Sequence, residues 1–240
     1  MTSASARVSN ERPFYRRHAD AYDELVTDSV ESWVAAVHSR VSPRARLLDA
    51  GCGTGRHAAA FAALGHRVEL ADASPALLAQ AARRCPGART HLVDLCSARL
   101  AGFDAVTCRG VLNDMITDAE RAAAVGALAA ALRPGGALFL DVREEGAARR
   151  RADGTEHTRT AGALTFTSRT TWRDGLLHVA ERYGDVPYEF RMRPWPVTEL
   201  TERLAAAGLR VAELGPGVGR RTPDRLFVVA YSSPTRMQNG

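Results

Sequence analysis

Apolar residues recur along this chain with two periods, and the change from one to the other divides it. From residue 13, Phe14, Tyr15, His18, Tyr22, Leu25 and Val26 fall at helical spacing. Asp28, with Glu31 three positions on, reads as a capping box opening a second helix through Trp33, Val34 and Val37, which Pro43 ends. Short apolar runs then alternate with helical stretches. Leu47 and Leu48 lead into Asp49 and Ala50, glycines follow at 51, 53 and 55, and Ala58, Ala59, Phe61, Ala62 and Leu64 make a helical face that Gly65 stops. A strand over 67–72 is followed by Ser74 as N-cap and Pro75 at the first helical position. Strands over 90–93, 105–108 and 137–142 continue the series, the last two separated by a helix from the Thr117/Glu120 capping box to Leu132 and a turn at Arg133-Pro134-Gly135-Gly136. Strand and helix in alternation predict a parallel α/β sheet, with the glycine loop at its first strand-to-helix turn.

Beyond residue 145 the pattern changes. Residues 145–162 are polar and read as a loop. Leu164, Phe166, Ser168, Thr170 and Trp172 then alternate with polar neighbours, Asp174-Gly175 marks a hairpin, and Leu177, Val179, Glu181 and Tyr183 alternate back. A third strand over 188–193 places Phe190 and Met192 on one face and Arg191 and Arg193 on the other, until Pro194-Trp195-Pro196 breaks it. Thr198 reads as the cap of a helix to Ala207, and strands over 210–214 and 226–231 follow.

Composition narrows the classes. Apolar residues at 45% and charged residues at 25% are those of an ordinary globular core in 240 residues. No run reaches the length of a membrane span and residues 1–10 hold no apolar signal core, so a cytoplasmic protein is expected. Cys52, Cys85, Cys96 and Cys108 stand apart from one another and from histidines, which predicts reduced thiols and no metal site. The net charge of +5 rests entirely on arginine, because the chain has no lysine. That excludes a lysine base, a Schiff base and a phosphate-loop lysine. Arg149-Arg150-Arg151 has no interleaved aromatics and reads as a solvated loop, so no nucleic-acid partner is expected.

The glycine loop fits two ligands at first sight. An acid at the end of the next strand, Asp72, can accept both ribose hydroxyls of either a dinucleotide or a nucleoside cofactor. Read as a dinucleotide fingerprint from Gly51, however, the sixth position is Arg56, too large for a close helix–strand approach. The pattern Asp49-x-Gly51-x-Gly53-x-Gly55 resembles motif I of the class I S-adenosylmethionine (SAM)-dependent methyltransferases. Asp72-Ala73, Asp94-Leu95, Phe103-Asp104-Ala105-Val106 and Leu132-Arg133-Pro134-Gly135-Gly136 resemble further motifs of that family, in order, across residues 14–142.

This resemblance implies a Rossmann-like seven-stranded sheet with helices on both faces, an N-terminal helical lid and a small antiparallel β insert. The chain would be a single domain over 12–240: lid at 12–42, cofactor core at 43–145, antiparallel substrate cover at 160–195, last helix and closing strands at 196–232. SAM would be held by Tyr22, Asp49, Gly51, Cys52, Gly53, Gly55, Asp72, Ala73, Asp94, Leu95 and Arg109. The insert is similar to the cover of small-molecule N-methyltransferases acting on amino sugars and related amines, which implies methyl transfer to an amine nitrogen, in natural-product or amine metabolism.

Methyl transfer asks the protein for alignment, exclusion of water and an acceptor for a proton. Asn113 and Asp114 follow the fourth strand, at the edge where such ligands sit, and with Tyr15 and His18 of the lid they are the candidate catalytic residues. His157 and His178 are weaker candidates for a base. Arg143, Arg191 and Arg193 would bind the substrate and suggest an anionic group on it, since arginine grips carboxylates and phosphates through its fork; Glu144 lies at the same edge. The expected partner is a small molecule, with no membrane, and the chain a monomer or homodimer. O- or C-methylation is the alternative reading, a nicotinamide oxidoreductase a remote one, and a non-catalytic SAM-binding protein the other rival.

Overall fold

The computed structural model of the protein describes residues 17–19, 22–25, 28–161, 164–220 and 222–234. Most of the helical run read from residue 13, including Tyr15, lies outside the described residues; a single turn, α1 (Tyr22–Leu25), is placed. Helix α2 (Val30–His38) begins one residue later than its sequence suggests. Ser29, not Asp28, is the N-cap, its hydroxyl accepting from Ser32 N at 3.1 Å, because the Asp28 carboxylate is taken by Arg220 at 2.8 Å.

The chain then builds β1 (Arg46–Ala50), α3 (Arg56–Ala63), β2 (Arg67–Asp72), α4 (Pro75–Arg84), β3 (Arg89–Leu92), β4 (Phe103–Arg109), α5 (Asp118–Ala131) and β5 (Leu132–Arg143). Ser74 and Thr117 cap α4 and α5 as their sequences require, Thr117 in a full capping box with Glu120. After an excursion, α7 (Val197–Ala206), β10 (Leu209–Pro216) and β11 (Arg225–Ser232) complete a seven-stranded sheet of order β3-β2-β1-β4-β5-β11-β10. Strands β1 to β5 run parallel, and β11 is antiparallel to both β5 and β10. This is the mixed α/β fold that the strand–helix alternation predicts.

The central strands are buried on both faces, which is why they read as short apolar runs rather than alternations. Leu48, Val106, Leu138 and Leu140 pack on one face with Leu128 of α5 and Leu200 and Leu204 of α7. Leu47, Ala105, Phe139 and Phe227 pack on the other with Trp33 of α2, Phe61 of α3 and Leu78 of α4. Strand order reverses between β1 and β4, so the crevice at their carboxyl ends is where such a sheet takes a ligand.

Residues 145–162 are not a loop. Glu144 caps a helix, α6 (Glu145–Arg151), its carboxylate accepting from Gly146 N at 2.8 Å and Ala147 N at 2.5 Å. Three arginines in its last turn sit favourably at the negative end of the helix. Then β6 (Asp153–Ala161) starts a separate four-stranded antiparallel sheet with β7 (Leu164–Arg173), β8 (Leu176–Tyr183) and β9 (Val186–Met192). Asp174 and Gly175 carry φ of 52° and 75°, as the tight hairpin between β7 and β8 requires. In the observed register Phe166, Ser168 and Thr170 pair with Tyr183, Glu181 and Val179, and Glu181, Val179 and Leu177 pair with Tyr188, Phe190 and Met192. These share the face that the period-two pattern predicts.

The return to the main sheet is pinned at Trp195, fully buried, whose indole N–H donates to Leu112 O at 3.1 Å. Helix α7 follows with Pro196 at its N-cap, so Thr198 lies inside the first turn and is not the cap. No helix among the described residues is long and apolar enough to cross a membrane.

Candidate active site

A cleft of about 850 Å³ lies between the carboxyl edge of the main sheet and the inner face of β7–β9. Its floor is the loop after β1. Gly51, Gly53 and Gly55 have φ of 76°, 56° and 79°, a conformation that costs other residues strain. At Gly51 space matters as well, since a Cβ there would sit 2.1 Å from a methyl of Val111. Gly55 instead packs on Ala81 of α4, where a Cβ would meet backbone at 2.9 Å; it serves helix packing and does not line the cleft.

Asp72 organises this loop. One carboxylate oxygen accepts from Gly53 N and the other from Ser74 N, both at 2.8 Å, tying the glycine turn to the start of α4. Burial pushes its carboxyl upward, opposed by the amides of Ser74, Gly53 and Ala73. Asp94 caps the short turn after β3 by accepting from Cys96 N at 2.8 Å, and like Ala73 and Leu95 it lines the cleft.

Asp49 is buried at the end of β1 and accepts from the Thr107 hydroxyl at 2.9 Å; its other oxygen has no hydrogen-bond partner among the described residues. Burial raises its carboxyl from 3.8 to about 6, Thr107 opposing and Asp72 adding to the rise. A raised carboxyl favours folding below its unfolded value and loses that contribution as pH rises through the folded one. Asp49→Asn should therefore stabilise the ligand-free protein at pH 8, by on the order of 1–3 kcal/mol. The gain should shrink as pH falls from 6 towards 4. Thermal melts at pH 8 and pH 5 test this, and an equal or negative change at pH 8 would contradict it.

After β4 the expected pair separates. Asp114 lines the cleft, whereas Asn113 is 1% exposed and spent on the frame. Its amide donates to Gly110 O at 3.0 Å, its side-chain oxygen accepts from Arg143 N at 2.8 Å, and its carbonyl accepts from Arg193 N at 2.8 Å. Arg193 also leaves the expected set, because its guanidinium bonds Asp118 at 2.7 Å and Ile116 O at 3.0 Å, away from the cleft. Arg191 is exposed, pairs with His178 on the face opposite Phe190 and Met192, and is among the residues bordering the cleft. Glu144 serves α6. His178 pairs with Arg173 at 3.2 Å and is not in the lining, while His157 is.

Arg109 lines the cleft with its guanidinium 5.5 Å from the Trp33 ring and donates to Gly219 O at 2.9 Å; burial lowers it to about 10. Cys52 also lines the cleft, and burial pushes its thiol up, so it is no nucleophile. His18 does not line the cleft but reaches Tyr188, which does: its Nε2 lies 2.6 Å from the phenol oxygen and its ring 4.2 Å from that of Tyr183. Tyr15 and the side chain of Tyr22 lie outside the described residues.

Sequence reasoning missed Tyr188, Thr107 and, apart from Arg143, an arginine–aspartate system at the far end of the cleft. Arg220 and Arg225 share Asp141 at 2.6 and 2.9 Å, and Arg143 pairs with Asp224. The dense charge of Arg220-Arg221-Thr222-Pro223-Asp224-Arg225, just ahead of an apolar strand, was the available signal.

The residues present suit SAM. Positive-φ glycines leave room for close approach to the backbone, acids stand at the ends of β2 and β3, and an unpartnered carboxylate oxygen at Asp49 suits a cation. Comparison with known proteins agrees. A family model described as a methyltransferase domain matches residues 47–136. The amino pentose methyltransferase CalS10 from Micromonospora echinaspora, solved with SAM bound, is 34% identical with a TM-score of 0.72, over 89% of this chain and 95% of that one. The sugar N-methyltransferase KedS8 from Streptoalloteichus sp. is 27% identical with a TM-score of 0.68, over 97% of this chain and 96% of that one. Among curated proteins, the ubiquinone biosynthesis O-methyltransferase of Xanthomonas campestris pv. campestris is 36% identical over 43% of this chain and 46% of its own length. The chain thus spans less than half the length of the curated relatives it matches.

The fold and site define a class I SAM-dependent methyltransferase, and the chain belongs to that family. Its cofactor is S-adenosylmethionine.

Proposed function

We propose that this protein transfers a methyl group from SAM to an amine nitrogen of a small molecule. The observation that carries this reading is the cleft closed by a separate antiparallel sheet, in a chain similar over nearly its whole length to an amino pentose methyltransferase and a sugar N-methyltransferase. Bound SAM supplies a methyl group already activated for displacement. The protein contributes position, for which effective molarities of roughly 10⁵–10⁸ M set the scale. Asp72 is read as the acceptor for ribose hydroxyls and Asp94 with Leu95 as the adenine contact. Phe166, Val179 and Phe190 face the cleft and exclude water.

The amine must arrive neutral, and Tyr188 with His18 is the arrangement suited to take its proton. Burial, aided by Arg17, lowers the His18 pKa and favours the neutral imidazole, whose Nε2 lies 2.6 Å from the Tyr188 phenol oxygen. Asp114 is the second candidate. Tyr188→Phe is expected to lower kcat/KM about a hundredfold, the lower end for general-base catalysis, and to leave the dissociation constant of S-adenosylhomocysteine unchanged. Parent-like kcat/KM from pH 6 to 9 would remove the pair from the mechanism.

The deciding assay incubates the protein with SAM and matched acceptors, each amine beside its hydroxyl analogue, with products read by mass spectrometry. Methylated amines alone support the proposal. Methylated hydroxyls alone would replace it with O-methylation, the reading favoured by the curated O-methyltransferase.

A further inference from the structure

Carboxylates outnumber arginines at one end of the cleft, where Arg56 and Arg109 stand among them, and arginines outnumber carboxylates at the other. Asp49, Asp72, Asp94 and Asp114 line the part beyond β1, β2, β3 and β4, on the side of a cationic cofactor. Arg143, Arg151 and Arg225, from the ends of β5, α6 and β11, line the opposite part.

These arginines share their carboxylates. Asp224, only 1% exposed, is shared by Arg143 and by Arg151 at 3.8 Å; Asp141, fully buried, is shared by Arg225 and Arg220; and Asp28 pairs with Arg220. Among the described residues the ion pairs of Arg143, Arg151, Arg220 and Arg225 run to Asp28, Asp141 and Asp224, four arginines sharing three carboxylates. The Nε atoms of Arg143 and Arg225 are buried with no hydrogen-bond partner among the described residues. A cation held out of water without an opposing charge is costly. Burial and the neighbouring Arg143 lower Arg225 to about 9. Arg143 keeps 22% and Arg151 46% of its side chain exposed, so this end is open to a ligand.

Resting on the methyltransferase reading, we infer that the acceptor carries an anionic group, a carboxylate or a phosphate, and that this group seats against Arg143, Arg151 and Arg225 and not against the outer arginines of β9. The bidentate fork of arginine suits either group. Binding there would turn the rest of the acceptor towards the inner face of the cover and the acidic end of the cleft.

The test is calorimetric titration of the full chain saturated with S-adenosylhomocysteine, using inorganic phosphate in one arm and acetate in another, at ionic strength fixed with sodium chloride. At least one anion should bind saturably in the millimolar range, and the tighter one names the group. Arg225→Gln should weaken that binding tenfold or more and Arg151→Gln at least threefold, with the affinity for S-adenosylhomocysteine unchanged within twofold. Should Arg225→Gln fail to fold, Arg143→Lys, which keeps the charge and loses the fork, carries the test with a weakening of at least threefold. No saturable binding of either anion to the loaded protein, binding indifferent to these substitutions, or binding only when S-adenosylhomocysteine is absent would each overturn the subsite while leaving the methyltransferase reading intact. If S-adenosylhomocysteine itself does not bind, that reading fails and the subsite falls with it.

Discussion

Replacing Arg121 with alanine is expected to destabilise the protein by about 3–5 kcal/mol, the range for breaking a buried ion pair by removing one partner. Arg121 projects from α5 and is 0% exposed. It donates to Glu199 at 2.6 Å, to the carbonyls of Arg193 and Pro194 at 2.5 and 2.6 Å, and to Met115 O at 3.2 Å. Its guanidinium lies 3.8 Å from the centre of the Trp195 ring. Burial lowers it to about 10 while Glu199 holds it charged. Truncation would leave Glu199 short of a partner, strip buried carbonyls of their donors and open a void beside Trp195, at the point where the cover returns to the main sheet. Denaturant unfolding measures the loss. A change under 1 kcal/mol would mean that water or a neighbouring arginine replaces these bonds.

Asp72→Ala is expected to weaken SAM and S-adenosylhomocysteine binding by well over tenfold. Hydrogen bonds to charged groups contribute about 1.5–3 kcal/mol each, and two kinds are lost. On the proposed assignment the carboxylate accepts from ribose hydroxyls, and it also holds Gly53 N and Ser74 N. Asp72→Asn keeps the shape and one acceptor oxygen, so it should fall between parent and alanine. A calorimetric dissociation constant unchanged in the alanine variant would remove Asp72 from the cofactor site.

The parts of the fold legible in the sequence are those whose causes are local. The glycine loop could be read because three alternate positions need left-handed backbone, and Ser74 and Thr117 because a cap is satisfied within three residues. Helix α6 was missed because its buried contact is a single alanine, Ala148, and its cap, Glu144, looks like any charged residue. Strand β6 was missed because it lies at the outer edge of its sheet with polar side chains on both faces, so no alternation marks it. Asp28 misled because a cap and a distant ion pair look alike in sequence, and its partner stands 192 positions away.

The site divides along the same line. Asp49, Gly51, Gly53, Asp72 and Asp94 lie in one short region whose chemistry sits on the strand ends that carry it. The arginine end is assembled from β5, α6 and β11, with contacts spanning 79 and 84 residues, so Arg143 could be named from the sequence but its partners only after folding. Tyr188 was hidden by its own strand, where an aromatic residue reads as packing. Asn113 and Arg193 were at the right place in the chain, and their side chains turned out to hold the frame.

Among the described residues the two sheets share no ladder, and an isolated parallel bridge, Glu144 to Trp195, joins the end of β5 to the return from the cover. On the proposed reading, a substitution on the inner face of β7, β8 or β9 should change the shape offered to an acceptor while the ladder that carries Asp49 and Asp72 stays in place. Such a molecule can be retuned towards a new acceptor in single steps, each still holding its methyl donor, and a library restricted to Phe166, Ser168, Val179 and Phe190 is the natural place to begin.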